Sequence, residues 1–120
     1  MINSQVVQGK SAVDSMTGKA KCTEGTADCQ VSFFADFYGP YDVISTDYDK
    51  YTIVYSCSND FFGPNHSSHL WVLSRDQTPL DEATLESVKE ILAREVAEWA
   101  LTDMYAPKQG GDCKYATPTL

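Results

Sequence analysis

The run 41-YDVISTDYDKYTIVYSC-57, followed after a polar stretch by 70-LWVLSR-75, decides how this chain reads. Val43, Ile44, Tyr51, Ile53, Val54 and Tyr55 place β-branched and aromatic residues on either side of a short T-D-Y-D segment. Two β-rich runs around a polar turn of this kind form a hairpin, because Asp and Thr side chains satisfy the turn's own backbone groups. The run at 69–75 adds a third strand that ends on Arg75.

Upstream, C-Q-V-S-F-F-A-D-F-Y over residues 29–38 is another strand, with Gly39-Pro40 as its end. Residues 11–22 alternate loosely, with Met16, Gly18 and Ala20 on one side. Residues 1–10 are polar and weakly patterned, and residues 58–68, rich in Asn, Gly, Pro and Ser, read as a loop. The expectation is one domain over 1–120, with a five-stranded antiparallel meander across 11–75.

A helix follows at 79–99. Thr78 can cap it, Pro79 suits its first position, and Asp81 and Glu82 load its first turn with negative charge. Leu85, Val88, Leu92, Val96 and Trp99 recur at helical spacing, with Ile91 widening the stripe. That stripe requires cover, which the outer face of the sheet supplies. Residues 100–105 read as a short last strand, and Pro107 and Gly110-Gly111 loosen the tail.

Composition bounds the function. At 120 residues the chain buries about two-thirds of its unfolded surface. A net charge of −8 argues against nucleic acid or an anionic membrane as partner. No apolar run of about 18 residues is present, so membrane insertion is not expected. Residues 1–5 lack an apolar signal core, so the chain does not read as an intact secretory precursor.

Cys22, Cys29, Cys57 and Cys113 form an even set without a C-x-x-C pair, which suits disulfides better than zinc. Four cysteines allow three pairings, and Cys22–Cys29 is favoured because the two flank a short polar turn. Asn65-His66-Ser67 is an N-glycosylation acceptor in a loop-like stretch. Together these point to a secreted, extracellular protein.

Residues 11–113 resemble the later part of an outer lipocalin. The resemblance rests on P-Y-D-V-I-S-T-D-Y-D-K-Y-T-I-V-Y-S-C, W-V-L-S-R, L-D-E-A-T-L-E-S-V-K-E-I-L and a cysteine near the end. It implies an all-β, antiparallel up-and-down barrel with one C-terminal α-helix packed outside, these segments supplying the fourth to eighth of eight strands. The family's Gly-x-Trp first strand is missing, and so are the strands after it, so the barrel is expected to be incomplete. Cys57 and Cys113, whose family counterparts bond into that missing part, then need other mates.

An incomplete barrel leaves two open edges and an apolar inner face. The remaining strands come from a second chain or a self-dimer, or the chain is a fragment, or residues 1–10 fold back as a partial seal. A homo- or hetero-oligomer through the open edges is the expected assembly.

The implied function is a carrier of a small hydrophobic ligand, with no required cofactor and a bilin, carotenoid, retinoid, sterol or fatty acid as occupant. The alternative is a structural subunit of a pigment-protein type of oligomer. Alternation puts Trp71, Leu73 and Arg75 on one face, which the resemblance turns inward with Thr52 and Val54. Val31 and Phe33 then line the neighbouring strand, with Met16 and Ala20 beyond. Tyr41 and Val43 are the inward choice on their strand, since this leaves Asp42 in water. Tyr51, Ile53 and Tyr55 point outward under the helix. Taken as residues alone, these side chains are the core of a small β protein; the resemblance makes them a cavity lining.

Arg75 reads as a structural residue closing the barrel's base, Thr46 and Asp47 as turn residues, and Tyr48 as packing near that base. No catalytic residue is expected. Some lipocalins isomerise substrates through a cavity cysteine, for which Cys22 or Cys29 would qualify only as a free thiol. His66 and His69 are the only candidates for a metal or haem iron, and they lack acidic or thiolate company.

Overall fold

The computed structural model describes residues 2–6, 13–59, 62–97, 99–111 and 113. Seven strands and two helices run in the order β1 (Ile2–Val6), β2 (Val13–Thr17), β3 (Lys19–Cys22), β4 (Asp28–Phe34), β5 (Phe37–Thr46), β6 (Tyr51–Asn59), β7 (His66–Ser74), α1 (Glu82–Glu95) and α2 (Trp99–Asp103). Strands β3 to β7 form an antiparallel meander in sequence order, while β1 and β2 pair as a separate two-stranded sheet. The five-stranded sheet is open, with β3 and β7 at its edges.

The start of the chain differs from the expectation. Residues 2–6, expected as part of a weakly structured segment, form β1, in register with β2 from Ile2↔Thr17 to Val6↔Val13. The stretch at 11–22, expected as one strand, divides at Gly18 into β2 and β3. Gly18 is needed there: a Cβ at this position would meet the Phe33 ring at 2.7 Å. The chain therefore contributes two strands beyond the five expected.

Gly39-Pro40 does not end a strand. The reversal comes earlier, at Ala35-Asp36, where Ala35 adopts φ 50°, and β5 runs through Gly39 and Pro40 with Pro40 opposite Gln30. The loop expected at 58–68 is shorter, because β6 continues to Asn59 and β7 begins at His66.

The T-D-Y turn forms as read. Asp47 Oδ1 accepts from the backbone N–H groups of Lys50 at 2.7 Å and Tyr51 at 2.9 Å, and Thr46 Oγ1 accepts from Tyr48 N–H at 3.1 Å. These bonds hold Tyr48 at φ 67°. Just before the turn a bulge sets Ile44 and Ser45 against Ile53, since Val43 pairs with Val54 and Ser45 with Ile53. The extra residue brings Thr46 into line with Thr52, and their hydroxyls meet at 2.9 Å.

α1 begins later than expected. Asp81, not Thr78, caps it by accepting from Thr84 N–H at 2.9 Å, so Pro79 lies before the helix. It stops at Glu95, and residues 99–103 form α2 where a strand was expected. The stripe that packs is Thr84, Val88 and Leu92, with Ile91 and Val96 beside it; Leu85 and Trp99 are each 41% exposed. Ile53, Val88, Leu92 and Ala100 make the buried cluster, flanked by Ile44, Tyr51, Leu70 and Val72 from the sheet. Cover by the sheet's outer face, with Ile53 beneath the helix, agrees with the alternation read from sequence.

Candidate functional site

Cross-strand register assigns the other face of the sheet. Directly opposed residues share a face, and Val43↔Val54↔Trp71, Thr46↔Thr52↔Leu73, Cys29↔Tyr41 and Ala20↔Val31 all fall on the side away from the helix. Phe33 shares their parity on β4 and packs on Gly18. Nine of the ten lining residues expected from sequence thus belong to one face of the five-stranded sheet. Met16 does not: it lies on β2 in the other sheet, opposite Asn3, and is 53% exposed.

The face is open. Val54 is fully buried, yet Trp71 is 41% and Leu73 44% exposed. The dry, enclosed hollow expected from sequence is absent from the described residues, because this set of strands does not close on itself. Two hollows lie away from this row. One of about 150 Å³ is lined by Ile44, Tyr55, Glu95, Val96 and Trp99 beside the helix. Another of about 190 Å³ lies against the β3–β4 turn, lined by Lys21, Cys22, Thr23, Asp28 and Gln30.

Polar groups punctuate this face. Burial pushes the Tyr41 phenol up, so it stays protonated and able to donate. Ser56 stands opposite His69, and the His69 ring lies parallel to Trp71 with centroids 5.6 Å apart and planes 8° apart. Sequence reading placed His69 with His66 as a metal candidate. Both lie on β7, three positions apart, and so project to opposite faces. His69's place beside Trp71 was legible from the i, i+2 spacing on that strand.

At the turn end, Arg75 N–H donates to Lys50 O at 2.9 Å and its guanidinium donates to Tyr48 O at 2.7 Å. Arg75 is therefore tied to the β5–β6 turn. Tyr48 itself does not pack: it is 78% exposed. Asp42, expected in water, is half-buried on the helix side, opposite Tyr55 and next to Asp28.

Cys22 and Cys29 are bonded to each other across β3 and β4, so neither is a thiol available for chemistry. Cys57 and Cys113 are not bonded to each other or to the Cys22–Cys29 pair. Asn65 is exposed immediately before β7.

With this geometry in hand, known proteins place the chain. The model of the Lipocalin / cytosolic fatty-acid binding protein family matches residues 1–106. Apolipoprotein D of Bos taurus is 32% identical over 101 residues, covering 81% of this chain and 49% of that protein. Apolipoprotein D of Cavia porcellus is 39% identical over 67 residues, covering 53% of this chain and 34% of that protein. The chain thus spans half or less of the length of these curated relatives. Among solved structures, lobster apocrustacyanin A1 superposes with a TM-score of 0.73 at 21% identity, over 92% of this chain and 59% of that one. Apocrustacyanin C2 gives 0.68 at 22%, over 85% and 55%.

Proposed function

The chain belongs to the lipocalin family, and from that premise we propose that it is an extracellular carrier whose helix-free sheet face holds a small hydrophobic ligand. The observation that supports this reading is the row Val43, Val54 and Trp71, flanked by Thr46, Thr52 and Leu73, on the sheet face opposite α1, where Trp71 remains 41% and Leu73 44% exposed. Aromatic and branched aliphatic side chains with a few hydroxyls suit a flat conjugated or long apolar molecule, such as a bilin, carotenoid, retinoid, sterol or fatty acid. The role is binding rather than catalysis.

Magnitudes say how such a face must work. Pressing a ligand against one wall buries about 150 Å² of apolar surface, worth about 4 kcal/mol. Association costs at least about 4 kcal/mol, so one wall alone gives almost no net affinity. Enclosure between two walls doubles the buried area and leaves a useful surplus. The ligand therefore sits between this face and further strands, whether these belong to a longer form of the chain or to a second chain.

The second reading is a subunit that assembles through its sheet edges without holding a ligand of its own. The unpaired outer edges of β3 and β7 favour it, since each offers a row of backbone donors and acceptors. An extracellular location is consistent with the Cys22–Cys29 disulfide and with glycosylation at the exposed Asn65. Native mass spectrometry of protein purified from its source tests both readings. A carrier shows an added small-molecule mass lost on solvent extraction; an empty oligomer would replace the carrier reading with the subunit one.

A further inference from the structure

The rows of the helix-free face change character along the strands. Nearest the Asp47 turn stand Thr46, Thr52 and Leu73; next come Val43, Val54 and Trp71; next Ser56 and His69. The parallel rings of His69 and Trp71, 5.6 Å apart, make one plate on β7 that is apolar toward the turn and hydrogen-bonding away from it. Within these three rows no carboxylate is present, and His69 is the one side chain able to carry positive charge. Arg75, the next cation on this side of the chain, is engaged with the Tyr48 carbonyl, about 20 Å further along.

Resting on the carrier reading above, the geometry points to His69 as the residue that selects a ligand by its end group. The ligand is an elongated apolar molecule terminating in a carboxylate. Its body lies on Val54 and Trp71, and its head accepts a hydrogen bond from the His69 imidazole beside the Ser56 hydroxyl. The stretch from His69 to Leu73 spans about 13 Å, so a long-chain acid fits and a short one leaves the apolar rows bare. An alcohol of the same length would gain the apolar contact without the charge-assisted bond.

Binding of hexadecanoic acid and hexadecan-1-ol to the full chain in its assembled form, with the second wall in place, separates the possibilities, measured on the wild type, His69→Phe and His69→Arg. The wild type is expected to hold the acid about tenfold more tightly than the alcohol, one charge-assisted hydrogen bond's difference. His69→Phe keeps a ring against Trp71 but no donor, so the preference disappears while alcohol affinity persists. His69→Arg restores it, which a merely structural role for position 69 would not. Equal affinities in the wild type, or a preference that survives in His69→Phe, would overturn the assignment. Failure of the wild type to bind either lipid overturns the carrier reading and this inference with it, and is recognised by the loss of alcohol binding.

Discussion

Lys50 Nζ donates to Asp81 Oδ2 at 2.8 Å and so joins the β5–β6 turn to the N-cap of α1, 31 positions away in the chain. The same ammonium reaches Thr84 Oγ1 at 3.1 Å. One carboxylate thus serves as helix cap and as tether, and its pKa is held far below the usual carboxylate range, chiefly by Lys50 and then by the Thr84 N–H. Asp81→Asn is expected to keep the cap and lose the tether, whereas Asp81→Ala loses both. Thermal unfolding should rank wild type, Asn, Ala in falling order, and the gap between wild type and Asn should shrink in high salt.

Asp47 and Asp81 set the acid limit of the fold. Hydrogen bonds from Tyr51 and Lys50 N–H lower the Asp47 pKa, as Lys50 and Thr84 lower that of Asp81. A carboxylate lowered in the folded state stabilises above its unfolded value, about pH 4, and loses that contribution as pH falls through the folded value. Stability should therefore decline below about pH 4. The decline should be shallower in Asp47→Asn, a comparison that denaturant titrations at stepped pH would make.

Ile53 and Leu85 contrast a packed site with an exposed one. Ile53 is fully buried under α1, so Ile53→Ala should cost about 2–5 kcal/mol. Leu85, 41% exposed, should cost less than about 1 kcal/mol when replaced by Ala. Urea unfolding of the two variants reads the difference.

The fold was largely legible in the hairpin, because its turn chemistry is local: Thr46, Asp47 and Tyr48 satisfy one another whatever the rest of the chain does. The helix-free face was legible by alternation on either side of the bulge at Ile44-Ser45, across which the facing parity shifts from Val43 to Thr46. What failed was set by tertiary contact. Gly18 lies where the Phe33 ring closes on its backbone, and Asp81, which accepts from Thr84 N–H and is also held by Lys50, caps the helix in place of Thr78. β1 has no apolar alternation of its own and forms by pairing with β2. The openness of the helix-free face was foreseen only as missing strands, and the His69–Trp71 stack was missed because His69 was read with His66 as a metal candidate.

Cys22–Cys29 closes a short loop, with a sequence separation of 7. Chain-entropy reasoning assigns such a loop about 2.5 kcal/mol. Replacing both with Ser should lower stability by about that amount, read by denaturant unfolding. Thiol blocking followed by mass spectrometry should label Cys57 and Cys113 and leave Cys22 and Cys29 unmodified until reduction. Blocked Cys57 or Cys113 in source-purified protein would mean that each has found a mate in another chain or segment.

The wall centred on Trp71 is most directly tested by equilibrium binding of a hydrophobic fluorescent dye to Trp71→Ala in its assembled form, with the second wall in place. Trp71 is 41% exposed, so the substitution should cost only about 1–2 kcal/mol and leave the chain folded, as circular dichroism would verify. The account predicts at least about a tenfold loss of dye affinity in Trp71→Ala, against unchanged affinity in Leu85→Ala on the helix. Equal dye affinity in wild type and folded Trp71→Ala would contradict it.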